Sequence, residues 1–93
     1  MLRVWGKLWK NSRIVHQWTA NNDERNLDEE TRFDSCVEEI LYHLDLPKPI
    51  WLEQNFRDMK RFGKTEFREE HFVEHFPYAM LELDVIETDE DEE

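Results

Sequence analysis

The stretch that most constrains the fold is Leu2–Thr19, whose pattern reads as a β-hairpin of two strands around Lys10-Asn11-Ser12-Arg13. It holds three of the four tryptophans (Trp5, Trp9 and Trp18) together with four basic residues and no acidic one. With Asn11-Ser12 as the turn, Trp9 is expected opposite Ile14, Lys7 opposite His16 and Trp5 opposite Trp18. Directly opposite residues share a face because side chains alternate along a strand. One face is then Arg3, Trp5, Lys7, Trp9, Ile14, His16 and Trp18. The other is Leu2, Val4, Gly6, Leu8, Val15, Gln17 and Thr19. The remainder of the chain has to cover at least one of them.

Ninety-three residues make a single domain with a modest core. With 39% hydrophobic residues there is enough apolar material for one, although 38% are charged. The formal net charge of −11 argues against general affinity for nucleic acid, whose phosphates demand Lys and Arg. Charge is also segregated. Residues 1–18 and 47–68 are net basic, whereas 19–46 and 69–93 are net acidic. Opposite blocks are expected to meet in the fold, and such pairs set register more than they stabilise. The single cysteine, Cys36, cannot form an internal disulfide. Lys7 and Lys10 interrupt the apolar residues near the start, so no secretory h-region is expected, and no run approaches a membrane span. A soluble, cytoplasmic protein in a reducing compartment follows as the expectation.

Beyond the hairpin, 20–27 is polar and reads as a loop. Asp28–Leu44 reads as an amphipathic helix with Phe33, Cys36, Val37, Ile40, Leu41 and Leu44 on its apolar stripe. Asp28, Glu29 and Glu30 occupy its first turn, where the helix dipole favours negative charge. Leu46-Pro47-Lys48-Pro49 ends it. A second helix is expected over Ile50–Phe62, with Leu52, Phe56, Met59 and Phe62 as its stripe and Gly63 as its C-terminal cap. The short connection predicts an αα-hairpin. Glu66–Phe76 reads as a third, short helix. Tyr78–Ile86 alternates Leu81, Leu83 and Val85 against Glu82 and Asp84, a half-buried strand. Residues 87–93 carry six acids and Thr88 and read as a disordered tail.

Placed beside the first strand, Glu82 and Asp84 come next to Arg3 and Lys7, and the three aliphatic residues join Val4, Leu8 and Val15. The predicted fold is α+β: a three-stranded sheet of order 2-1-3 with two to three helices on one face, formed by residues 1–86. Gly6 would admit a helix closely on the aliphatic face.

Several patterns resemble chemistry. His71-Phe72-Val73-Glu74-His75 matches the H-x-x-E-H zinc pattern, in which two histidines one helical turn apart share a metal. A third ligand from a downstream helix has no counterpart here, and no metal site or catalytic residue is assigned. Cys36 lies on the apolar stripe without a nearby base and reads as a small core residue. The acidic blocks read as solvated faces, with imitation of a nucleic-acid backbone as the sharper alternative. The interface candidates are Trp5, Lys7, Trp9, Ile14, His16 and Trp18. Tryptophan on an open sheet face suits a protein partner, whether another protein or a homodimer. A small ligand, or single-stranded nucleic acid stacking on Trp5, Trp9 and Trp18, is the alternative. No cofactor is implied.

Arg3-Val4-Trp5-Gly6-Lys7-Leu8-Trp9-Lys10, Lys48-Pro49-Ile50-Trp51-Leu52, Lys64-Thr65-Glu66-Phe67 and Leu81-Glu82-Leu83-Asp84-Val85-Ile86-Glu87 together resemble a family of short proteins of no established function from Gram-positive, mostly anaerobic gut bacteria. The resemblance spans nearly the whole chain and implies a free-standing bacterial protein, with no activity, cofactor or site attached. The family pattern is more polar where this chain has Phe76-Pro77-Tyr78.

The function expected on these grounds is a non-enzymatic interaction module, self-associating through the aromatic face or the sheet edge.

Overall fold

The computed structural model describes residues 1–88. The hairpin forms as expected: β1 (Leu2–Lys10) and β2 (Arg13–Asn22) pair antiparallel around a two-residue turn. Asn11 and Ser12 have φ of 54° and 64°. Positive φ at both central positions is the type I′ geometry whose twist matches a hairpin.

The sheet has four strands, not three. Its order is β2-β1-β4-β3 and every neighbouring pair is antiparallel, with β3 at Lys64–Phe67 and β4 at Met80–Glu87. The extra strand replaces the start of the expected third helix. Thr65 and Phe67 point into the core while Lys64 and Glu66 are exposed, a period of two. Phe67 and Phe72 are five residues apart and cannot share a helical stripe. The chain instead makes one 3-10 turn, Glu69–His71, and then runs irregularly to β4. His71 and His75 therefore share no helical face, and His71 Nδ1 accepts the Arg68 N–H at 2.9 Å.

Helix α1 (Glu29–His43) starts at Asp28, whose carboxylate accepts the Thr31 N–H at 2.7 Å. Hydrogen bonding from the Thr31 hydroxyl, and then from that N–H, holds the Asp28 carboxyl below its usual range. The helix ends with the Leu46 N–H donating to Leu41 O and the Asp45 N–H to Tyr42 O, with Asp45 at φ 55°. This is a Schellman ending with Asp where Gly is usual. Helix α2 (Glu53–Phe62) begins three residues later than expected, and Gly63 caps it at φ 71° as the sequence indicates.

The two helices do not form the expected αα-hairpin. Helix α1 packs on β1 and β2, and α2 on β3. β4 separates the two footprints. Trp51 bridges the gap, with its ring 5.9 Å from Phe33, 5.2 Å from Phe56 and 4.9 Å from Phe67. The expected stripe of α2 is largely in solvent: Leu52, Phe56 and Phe62 are exposed, and Asn55 is the helix's buried residue.

The core lies between the helices and one sheet face, built from Val4, Leu8, Ala20, Leu81, Leu83 and Phe67 against Cys36, Val37, Ile40 and Leu41. Gly6 sits beneath α1, and a Cβ there would run into Ile40 Cγ2. Arg32, which lies off the apolar stripe expected for α1, is nonetheless buried and donates through Nη2 to the Asn22 carbonyl oxygen at 2.8 Å. β2 thus continues through what reads as a loop, with Ala20 and Asn22 buried. Glu87 closes β4 opposite Arg3, so the expected tail is structured at its first residue. Residues 89–93 of that tail lie outside the described residues.

Gly6→Ala is expected to lower unfolding free energy by about 1–3 kcal/mol, the usual cost of overpacking. Ile40→Ala removes the colliding methyl, so the double variant should lose clearly less than the sum of the two singles. Urea denaturation of the four proteins measures this coupling.

Candidate interaction site at the sheet edge

The six candidate residues do not share a face. β1 and β2 pair as expected at Trp9 and Ile14, but the register then shifts: Leu8 lies opposite His16, Gly6 opposite Trp18 and Trp5 opposite Thr19. Val15 is the extra residue of a β-bulge, and the bulge turns the rest of β2 over. Trp5, Lys7, Trp9 and Ile14 remain together on the outer face. His16 and Trp18 move to the helix side, and the expected Trp5–Trp18 pair does not exist. A β-branched residue between two strand formers gives no sequence sign of a bulge.

On the outer face, β1 lies against β4 as the charges suggest. Lys7 is directly opposite Glu82. Its Nζ is 3.3 Å from Glu82 and 3.8 Å from Asp84, and 3.9 Å from the centre of the Trp5 ring. The Trp9 indole N–H donates to Glu82 at 3.0 Å, and that of Trp5 to Gln17 at 2.9 Å. Lys7 and Glu82 are only 7% and 8% exposed, although no helix lies over them. The half-buried tryptophans enclose the ion pair themselves. This face is thus occupied by its own contacts, and its aromatic and cationic groups are already engaged.

Trp18 has gone elsewhere. Its ring stacks on His43 of α1 at 3.6 Å and 11°, and its N–H donates to Glu39 at 2.8 Å. His43 in turn meets Tyr42 edge-on at 5.3 Å. A row Trp18–His43–Tyr42 therefore runs from the sheet edge up the flank of α1. Tyr42 at its end is 81% exposed, and Trp18 is 37% exposed. Tyr42, His43 and Glu39 are not among the interface candidates that the sequence pattern indicates. Only the unseen bulge brings Trp18 to them, although their spacing along α1 is visible.

The two edges of the sheet differ. β3 is four residues long, and α2 guards it. Asn55 donates to Thr65 Oγ1 at 2.8 Å and to the Glu66 carbonyl oxygen at 3.0 Å, while its own Oδ1 accepts the Leu52 N–H at 2.9 Å. A shallow groove of about 520 Å³ runs beside it, lined in part by Asp58, Thr65, Glu66, Arg68 and His71. At the other side, β2 is ten residues long and, among the described residues, has β1 as its one strand neighbour. From Ile14 to Asn22 it carries no Asp, Glu, Lys, Arg or Pro. Residues 15–19 are all exposed. Proteins normally blunt such an edge with charge, proline or a covering element. Here the bulge at Val15 interrupts one end, and the stretch from His16 onward pairs regularly with β1.

Burial pushes the Cys36 thiol up to about 11, with the Glu39 charge adding to the shift and Arg32 opposing it. Thr65 Oγ1 is buried between Asn55 and Asp58. Among the described residues no three His, Cys, Asp or Glu side chains cluster as a metal site, and no helix is long and apolar enough to cross a membrane.

No family model, curated protein or solved structure matches the chain.

Two outcomes follow from these contacts. Lys7→Met leaves the buried Glu82 and the half-buried Asp84 without their counter-charge and is expected to cost about 3 kcal/mol. Adding Glu82→Gln, which keeps an acceptor for Trp9, should recover part of that loss in chemical denaturation. Cys36 should react with a thiol reagent at mildly alkaline pH only on unfolding. The unfolded chain releases its thiol proton near 9.0 and the folded one near 11. Stability should therefore decline as pH rises from about 9 toward 11, and Cys36→Ala should flatten that decline.

Proposed function

We propose that the protein is a non-enzymatic protein-interaction module that engages another chain by strand addition at the β2 edge. One observation carries this reading: a ten-residue edge strand with an uncharged run from Ile14 to Asn22, in a chain that is 38% charged. Strand addition takes its affinity from main-chain hydrogen bonds and its selectivity from alternate side chains. On one side of β2 those side chains are His16 and Trp18, and on the other Gln17 and Thr19. Of the candidate residues, Ile14, His16 and Trp18 belong to this edge, Trp5 supports it through Gln17, and Lys7 and Trp9 are held on β4 by Glu82.

A cytoplasmic setting goes with this reading. Cys36 is buried and has no second cysteine to pair with. The resemblance to short bacterial proteins points the same way. The alternative of single-stranded nucleic acid is disfavoured, because Lys7 is tied to Glu82 and Asp84 and the net charge repels phosphate.

A photo-crosslinking residue placed at Gln17 or Thr19 should give adducts with another chain in cells, and the same residue at exposed Glu53 on α2 should give far fewer. Equal yields at both positions, or none at the edge, would refute the edge as the docking site.

A further inference from the structure

We infer that the chain taking the β2 edge is a second copy of this protein, paired across a two-fold axis through Trp18. This rests on the edge-docking reading above and names its occupant.

The run Ile14–Asn22 is bounded by Arg13 on one side and Asp23 on the other. Its middle residue is Trp18. An edge strand presents outward N–H and C=O groups at alternate residues, so an antiparallel copy in direct register pairs residues of like parity. With Trp18 opposite Trp18, Gln17 faces Thr19 and His16 faces Ala20 of the copy. Because Val15 takes no step in the ladder, Arg13 of each chain comes opposite Asn22 of the other, next to its Asp23. A two-fold axis repeats that pairing at both ends, as an isologous contact requires. The charge order of the strand is thus complementary to itself when reversed. An unrelated partner would have no reason to match it.

The helices fit the same axis. Helix α1 lies over β1 and β2, and the Trp18 contacts place Glu39 and His43 on its β2 side. Joining two sheets through β2 sets α1 and its mate about two strand spacings apart, roughly 10 Å. That is the ordinary distance of packed helices. The antiparallel mate then brings Glu39 toward His43 of the copy. It also covers Tyr42, which is 81% exposed in one subunit and ends the Trp18–His43 row. The β3 edge offers no such symmetry, because Asn55 occupies it.

Sedimentation equilibrium of the full chain tests this. The wild type should be a dimer at low ionic strength and weaken with salt. Thr19→Lys sets like charges across the axis, and Tyr42→Asp places charge where the helices meet. Each should weaken association by about tenfold or more with unchanged circular dichroism. Tyr42→Asp alters a side chain that is mostly in solvent, so it remains a clean test if Thr19→Lys fails to fold. Arg13→Asp and Asp23→Arg should each weaken the dimer, and the double variant should restore it, because the swap re-forms both end pairs. A monomer at all concentrations overturns the self-pairing. Edge-specific crosslinks to a different protein would then leave the docking reading standing, whereas their absence as well would remove both. A dimer indifferent to Tyr42→Asp and to the charge swap overturns this geometry.

Discussion

The structure depends on the alignment of β1 with β4, fixed by Lys7 lying opposite Glu82. The two residues are far apart in the chain and come from its most basic and most acidic blocks. Their ammonium and carboxylate are nearly removed from water, yet satisfied: Asp84 lies on one side, the Trp5 ring beneath, and the Trp9 indole N–H on the carboxylate. A slip of one residue would break this arrangement and turn Leu81 and Leu83 out of the core, since side chains alternate with a period of two. Polar register and apolar packing thus demand the same alignment. That agreement between levels is what lets a small core specify one fold.

From that alignment the remaining placements follow. Gly6 is next to Leu83 in the sheet and opposite Trp18, so the point of closest helix approach is surrounded by apolar side chains. Ile40 fills it, and α1 is held over β1 and β2. Helix α2 takes β3, where Asn55 satisfies both the strand and its own first turn. The helices thereby leave two apolar or neutral surfaces in water: the Leu52, Phe56 and Phe62 side of α2, and the β2 edge with Trp18 and Tyr42. Of these, the edge is a strand that pairs regularly with β1 from His16 to Asn22 and is bounded by Arg13 and Asp23.

The bulge at Val15 decides where the aromatic residues go. Without it Trp5, Trp9 and Trp18 would form one row on the outer face, as simple alternation demands. With it, two tryptophans enclose an ion pair and the third reaches α1. What the bulge leaves open is a long neutral edge flanked by Trp18, His43 and Tyr42 in place of a tryptophan face.

The sequence by itself determined the α+β class, the hairpin and its turn, helix α1 with its Asp28 start, the Gly63 cap, and the charge match between Lys7 and Glu82. Each depends on local chemistry or on strict periodicity over several residues. It did not determine β3, because four residues after a capping glycine carry too little alternation to stand out against a helix. It did not determine the burial of α2, because Leu52, Phe56 and Phe62 have the spacing of a core stripe whether or not a partner surface exists. Nor did it separate Trp18 from Trp5, since one bulged residue reverses a whole strand and leaves no compositional trace. Those outcomes belong to tertiary structure. They depend on which surfaces compete for the same space, and the competition at Gly6 and at the guarded β3 edge leaves β2 open.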